Sequence, residues 1–114
     1  MLDNNFVLKI ADFGFAGPVQ GRDGSGLCTT MLGTQNYMAP EIHLGQDYEG
    51  TKIDIFSAAI ILFIMVSEHP PFTAARPDDP FYRCLAAKRS DVFWKTHLKE
   101  KNQDFYSEGF KDLV

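Results

Sequence analysis

The sequence predicts a mainly helical chain that opens with a short β-hairpin and a long irregular loop. Three observations predict it: an apolar run at residues 53–66, helix-opening Asp-Pro and Ser signals behind that run, and strand-like alternation confined to residues 6–10. The 114 residues suit one domain or part of one, since domains commonly hold about 100–150 residues. Apolar residues make up 45%, the share of a chain that buries a core and not of a disordered one. With 11 basic side chains against 15 acidic, the net charge of −4 argues against a nucleic-acid footprint or a polybasic membrane anchor. The 10 phenylalanines predict a dense aromatic core, or one shared with more protein.

At the start, Phe6, Leu8 and Ile10 alternate with Val7 and Lys9, the pattern of a half-buried strand. Asp3-Asn4-Asn5 before them is turn chemistry, because these side chains bond nearby backbone and tolerate left-handed dihedrals. Leu2 then reads as the end of a preceding strand. Residues 14–33 lack periodicity and are punctuated by Gly17, Gly21, Gly24 and Gly26. A connection of that length is usually functional or disordered. Residues 39–44 read as a short helix, with Pro40 in its first turn and Gly45 as terminator.

The apolar run at residues 53–66 has 14 residues, short of the roughly 20 that a membrane span needs. Ser67-Glu68-His69-Pro70-Pro71 ends it. Apolar on nearly every side, it is expected to lie buried in the middle of a larger fold. Asp79-Pro80 caps and opens a helix running to about residue 89. Residues 90–101 follow as helix with Val92, Phe93 and Leu98 inward, and the Phe93-Trp94 pair as a core anchor. Ser107 caps a last helix whose apolar positions are Phe110, Leu113 and Val114.

Cys28 and Cys84 lie far apart and form no CxxC pair, so they read as reduced thiols of a cytoplasmic protein. His43, His69 and His97 are single and widely separated, which offers no metal constellation. The polar start, Met1-Leu2-Asp3-Asn4-Asn5, has no secretory apolar region.

Chemistry concentrates at two places. Asp12-Phe13-Gly14 follows the strand directly; alone it is weak, since a given tripeptide occurs by chance in about 1–2% of chains this long. Downstream stands Gly33-Thr34-Gln35-Asn36-Tyr37-Met38-Ala39-Pro40-Glu41. With six of those positions fixed, coincidence falls to a few per million, roughly, on the same arithmetic. Asp54-Ile55-Phe56-Ser57 then opens the apolar helix and Pro70-Pro71-Phe72 closes it.

With these motifs in this order, the chain resembles the eukaryotic protein kinases. A DFG-type motif about 30 residues ahead of an APE-type motif is their activation segment. The form Gly33-Thr34-x-x-Tyr37-x-Ala39-Pro40-Glu41, with Phe15-Ala16 after the first glycine, is similar to the serine/threonine branch, nearest the calmodulin-dependent kinases. The resemblance covers essentially the whole chain. It implies the C-lobe of the α+β kinase fold, from the end of the catalytic-loop hairpin to a late helix. Residues 1–114 are accordingly expected to be part of a kinase domain, the N-lobe, catalytic loop and final helices being supplied elsewhere.

The resemblance implies roles position by position. Asp12 would hold the Mg²⁺ that bridges two ATP phosphates, since a carboxylate suits a hard cation. Phe13 would pack inward, and Gly14 would give the backbone freedom to switch state. Thr34 would help place the accepting hydroxyl, while Gly33 and Tyr37 would shape the surface along which a protein substrate lies. Glu41 would be buried against an arginine, and Asp54 would accept N–H bonds from the catalytic loop, both as structural residues. Thr30, three residues before Gly33, is the candidate phosphosite. Thr29 and Ser25 compete with it, and a plain solvated threonine is the other reading. The family's tryptophan and glycine on the apolar helix are Phe56 and Ala59 here, which keeps apolar packing.

The expected function is ATP-dependent phosphate transfer to protein Ser/Thr hydroxyls, with ATP and Mg²⁺ in the complete domain. Partners would be protein substrates and the rest of the chain's own kinase domain, not nucleic acid or membrane. The sequence holds no glycine-rich phosphate-covering loop, no nucleotide lysine with a glutamate partner, and no catalytic-loop Asp or Asn. By itself it is therefore expected to be inactive. It should also expose apolar surface. Two rivals remain: a pseudokinase-like binding module docking partners through residues 79–101, and a plain helical domain with chance motifs.

Overall fold

The computed structural model describes residues 1–98 and 105–114. Among these described residues five helices carry the architecture: α1 Pro40–His43, α2 Gly50–Ser67, α3 Pro80–Ala86, α4 Ser90–His97 and α5 Glu108–Leu113. The mainly helical fold class holds. At the N-terminus, Leu2 and Leu8 form one antiparallel bridge around a turn, in which the Asp3 carboxylate accepts from the Asn5 and Val7 amides at 2.9 Å each. The hairpin is therefore present, but the half-buried strand at 6–10 is not. Phe6, Leu8 and Ile10 are 73–85% exposed, because among the described residues no second layer covers them.

α2 is longer than the apolar run that announces it and reaches about 27 Å at 1.5 Å per residue. It ends where Glu68 turns left-handed at φ 66°, its amide donating to the Ile64 carbonyl at 2.8 Å. Burial along it is one-sided: Ile60, Phe63 and Ser67 are buried, whereas Ile55, Ile61 and Met65 are 50–75% exposed. The expectation of all-round burial fails because the described residues furnish packing partners for one face only. Among them α2 is the one helix long and apolar enough to cross a membrane, by length and composition. Its inner face nevertheless packs on side chains of this chain.

The core has two adjoining parts. Phe63, with no exposed surface, meets the rings of His69, Phe93, Trp94, His97, Tyr106 and Phe110 at centroid distances of 5.2–6.5 Å. Ser67 and Tyr106 share a buried hydroxyl–hydroxyl bond of 2.8 Å, which ties α2 to the segment before α5. One turn earlier, Ile60 packs with Phe72 and Ala75, flanked by Phe56, Ile64, Tyr82 and Leu85. The expected aromatic core is thus assembled, with Phe93 and Trp94 in it.

Asp79 joins the helices. Its Oδ1 accepts from the Phe81 and Tyr82 amides at 2.9 and 3.0 Å, capping α3, while Oδ2 accepts from Thr73 and Ala74 at 2.9 and 3.3 Å. One carboxylate thereby satisfies four backbone donors, two of them in the loop that follows α2. α3 stops at Ala86, short of residue 89, because the chain turns left-handed at Lys88 (φ 56°). In α4, Phe93 is buried and Val92 and Leu98 are half-buried; residues 99–101, expected to extend that helix, lie outside the described residues. Ser107 caps α5 as expected, its Oγ accepting from Phe110 at 3.2 Å. Of the apolar positions there, Phe110 packs, whereas Leu113 is 71% exposed at the chain's edge.

The radius of gyration is 15.9 Å, against about 13 Å for a tightly folded domain of this length. The excess fits an extended loop region and the exposed apolar side chains.

Two predictions follow from this packing. Asp79→Ala removes a cap and strands loop amides, so it should lower stability by about 2–4 kcal/mol, with Asp79→Asn less severe; urea unfolding followed by Trp94 fluorescence measures both. His97 is buried, with Nδ1 2.8 Å from the Phe93 carbonyl and Nε2 3.0 Å from the Pro71 carbonyl. Burial pushes its pKa below the usual value of 6.5, the two carbonyls pull the other way, and nearby His69 lowers it further. The folded state therefore prefers the neutral ring, and stability should be full above pH 6.5 and fall as the pH drops below it. His97→Gln should flatten the pH 7 to 5 dependence of the urea midpoint, and an unchanged slope would refute the assignment.

Candidate functional site

Asp12 stands at φ 64°, ψ 74°, in the left-handed region, and caps a single 3₁₀ turn, Phe13–Phe15. Its Oδ1 accepts from the Gly14 amide at 3.4 Å, a long bond that leaves most of the carboxylate's acceptor capacity free. Aspartate tolerates this backbone region better than most residues, yet such a conformation still costs on the order of 1 kcal/mol. The carboxylate is exposed. Phe13 and Phe15 are 69% and 71% exposed, so Phe13 does not pack inward; among the described residues nothing lies over it.

The loop beyond is ordered by short local contacts. Gly21 is obligatory, since at φ 71° a Cβ there would sit 2.5 Å from the Leu27 carbonyl oxygen. Asp23 accepts from the Ser25 hydroxyl at 2.6 Å and from its amide at 3.0 Å, which lowers the carboxylate's pKa. A shallow cleft of about 320 Å³ separates Val19, Ser25, Gly26 and Leu27 from Glu49 and the start of α2 at Gly50 and Thr51; of the candidate residues it contains only Ser25, one of the hydroxyls competing with Thr30.

From residue 28 onward the loop is fastened first to the segment ahead of α2 and then to α2 itself. Cys28 and Tyr48 form an antiparallel bridge, with N–H to carbonyl distances of 2.7 and 2.9 Å. The Tyr48 hydroxyl donates to the Thr30 carbonyl at 2.6 Å. Burial raises the Tyr48 pKa above its usual 10, and the neighbouring Cys28 adds to the rise, so the phenol keeps its proton. The Thr30 side chain itself is exposed.

Gly33 follows at φ 116°, a backbone that side-chain-bearing residues rarely adopt. Thr34 leads a 3₁₀ turn, Gln35–Tyr37, its carbonyl accepting from the Tyr37 amide at 3.0 Å. Ser57, on α2, donates to the Tyr37 carbonyl at 2.8 Å, and His43 Nε2 lies 3.3 Å from the Gln35 carbonyl. The segment enters α1 through Ala39, with Pro40 at the first helical position and Ile42 buried. Glu41 is half-buried, and its charge raises the pKa values of Lys52 and Tyr82 as a secondary cause, behind the Glu49 bond at Lys52 and burial at Tyr82. Asp54 is exposed on α2, and among the described residues its side chain has no hydrogen-bond or ion-pair partner.

The structure thus ties Thr30 to Tyr48, just ahead of α2, and Tyr37 to Ser57 on α2, with Gly33 and Thr34 in the chain between them. Asp12, Phe13 and Gly14 form a separate turn, hydrogen-bonded to none of them. Tyr48 and Ser57 are the loop-bonding residues that sequence reasoning missed. No spacing rule links position 48 to 30, and Ser57 stood out only as a letter in a motif.

A family model described as protein kinase domain matches residues 1–114. The chain belongs to the protein kinase family. Its relatives place it in the serine/threonine branch. It is 42% identical over 94 residues to CBL-interacting serine/threonine-protein kinase 24 of Arabidopsis thaliana, covering 82% of this chain and 21% of that protein. To CBL-interacting protein kinase 11 of Oryza sativa subsp. japonica it is 33% identical over 101 residues, 88% of this chain and 20% of that protein. To CBL-interacting protein kinase 28 of the same plant it is 40% identical over 72 residues, 63% of the chain and 17% of the relative. This kinase-family chain therefore spans about a fifth of the length of the curated relatives it matches.

In sequence, Asp12 opens an Asp-Phe-Gly tripeptide and residues 33–41 end in Ala-Pro-Glu. Gly33→Val should disturb residues 28–38 without touching the core. In an NMR comparison, amide shifts should change along that segment while those of α4 stay fixed; shifts spread through α4 would show that the segment is not a separate unit.

Proposed function

We propose that the chain supplies the metal-binding carboxylate and the substrate-facing segment of a serine/threonine protein kinase that transfers the γ-phosphate of ATP to protein hydroxyls. The supporting observation is the combination of an exposed Asp12 carboxylate, engaged by a single long bond, with residues 30–37 held at one end by Tyr48 and at the other by Ser57 of α2, in a chain whose residues 1–114 match a protein kinase domain.

Asp12 is a fitting ligand for Mg²⁺, which takes one or two protein carboxylates and keeps its other positions for water and phosphate oxygens. Bound ATP and Mg²⁺ would supply the phosphoryl group and neutralise its charge. The chain's own residues orient and position. Thr34 would help place the accepting hydroxyl, Gly33 and Tyr37 would line the path of the peptide, and Thr30 is the position where an added phosphate would order the segment. Glu41 and Asp54 would be structural, each awaiting a partner beyond the described residues. The relatives are named for interaction with CBL, so a protein partner besides the substrate belongs to this reading. Cytoplasmic residence is part of it as well.

Phosphoryl transfer needs positioning and charge neutralisation from several directions at once. Of that machinery the sequence contains one metal carboxylate. The 114-residue chain alone is therefore proposed to transfer no phosphate, and radiolabel in a peptide mix above background would overturn that. A hybrid in which residues 1–114 replace the matching stretch of the Arabidopsis kinase 24 should transfer phosphate. Asp12→Asn should lower its kcat by about a hundredfold or more, and a hybrid indifferent to that change would refute the role of Asp12.

A further inference from the structure

Two hydroxyl groups of one structural unit hold the same loop at two points. Tyr48, two residues ahead of α2, donates to the Thr30 carbonyl at 2.6 Å, and Ser57, in α2, donates to the Tyr37 carbonyl at 2.8 Å. Both acceptors are main-chain oxygens, so both bonds fix backbone whatever side chains the loop carries. The antiparallel bridge between Cys28 and Tyr48 secures the first point with two more backbone bonds. Between the two points lie Gly33, with its left-handed backbone, and Thr34, whose side chain makes no capping bond to the turn that follows it. A stretch so bounded takes its position from its ends.

We propose that Tyr48 and Ser57 are positioning residues that suspend residues 30–37 from α2 and the segment just ahead of it and thereby set where Gly33, Thr34 and Tyr37 meet a protein substrate, a role that rests on the phosphotransfer reading. Ser57 has a firm support because Phe63 and Ser67 lock the far end of α2 into the core, and Tyr48, two residues ahead of that helix, is held by its two backbone bonds to Cys28. Neither hydroxyl touches a reacting group. Each acts through the loop backbone.

Tyr48→Phe and Ser57→Ala each delete one hydroxyl and little else. Hydrogen exchange on the 114-residue chain tests the suspension directly. Tyr48→Phe should speed exchange of the Cys28 amide, and Ser57→Ala that of the Tyr37 and Met38 amides, by about five- to tenfold, with Ile60 and Phe63 amides unchanged. Unaltered exchange at Cys28 and Tyr37, or an equal rise within α2, overturns the suspension. In the hybrid kinase, either variant should raise the peptide KM about threefold or more and leave the ATP KM alone, as loss of substrate positioning requires. A fall in kcat with both KM values unchanged overturns the substrate role. If the unmutated hybrid transfers no phosphate, the phosphotransfer reading fails and the substrate role with it, while the exchange rates still decide whether the loop hangs from α2.

Discussion

Phe63 is the side chain on which the arrangement turns. It is fully buried, and six aromatic or imidazole rings from the loop after α2, from α4 and from the region of α5 close around it. Offset and edge-on ring pairs add roughly 0.5–1.5 kcal/mol each beyond the area they bury, so this one position gathers much of the stabilisation available to a small core. Its consequence is geometric. With Phe63 held, α2 has a fixed axis, and whatever is attached elsewhere on α2 inherits that rigidity.

The helix then serves two purposes along its length. Its C-terminal half builds the core, through Ile60, Phe63 and Ser67. Its N-terminal half and approach, through Tyr48 and Ser57, hold the loop that carries Thr30, Gly33, Thr34 and Tyr37. Asp12 stands apart, strained into a left-handed conformation and open to solvent. A carboxylate so exposed can act on a metal only where further ligands converge on it, which is consistent with a chain spanning about a fifth of its relatives. The uncovered outer face of α2, at Ile55, Ile61 and Met65, has the composition of an interior and the exposure of a surface.

Local signals were legible in the sequence and distant ones were not. Asp79, Pro40, Gly45 and Ser107 act within a few residues of themselves, and each occupies the cap or turn that its chemistry announces. The aromatic core was legible in part: Phe63, Phe72 and Phe93 are buried, whereas Phe6, Phe13 and Phe15 stay mostly exposed. Burial of the strand at 6–10 and of the outer face of α2 was not, since an apolar residue records a preference for a partner without supplying one. Within the site, the motifs located Asp12 and residues 33–41, but the hydroxyls that place the loop act across 18 and 20 positions. No periodicity reports such a contact. Likewise, the end of α3 depends on a left-handed Lys88, a residue type with no turn signature.

If α2 is the support for the loop, the loop cannot stay ordered once the core around Phe63 has gone. Equilibrium urea unfolding read at two places tests this: fluorescence of Trp94, the single tryptophan, reports the core, and exchange protection of the Cys28 and Tyr37 amides reports the loop. Protection at both amides should be gone by the time the Trp94 transition is complete. Amides that remain protected beyond that transition would show that the loop is ordered by itself, and that α2 does not hold it.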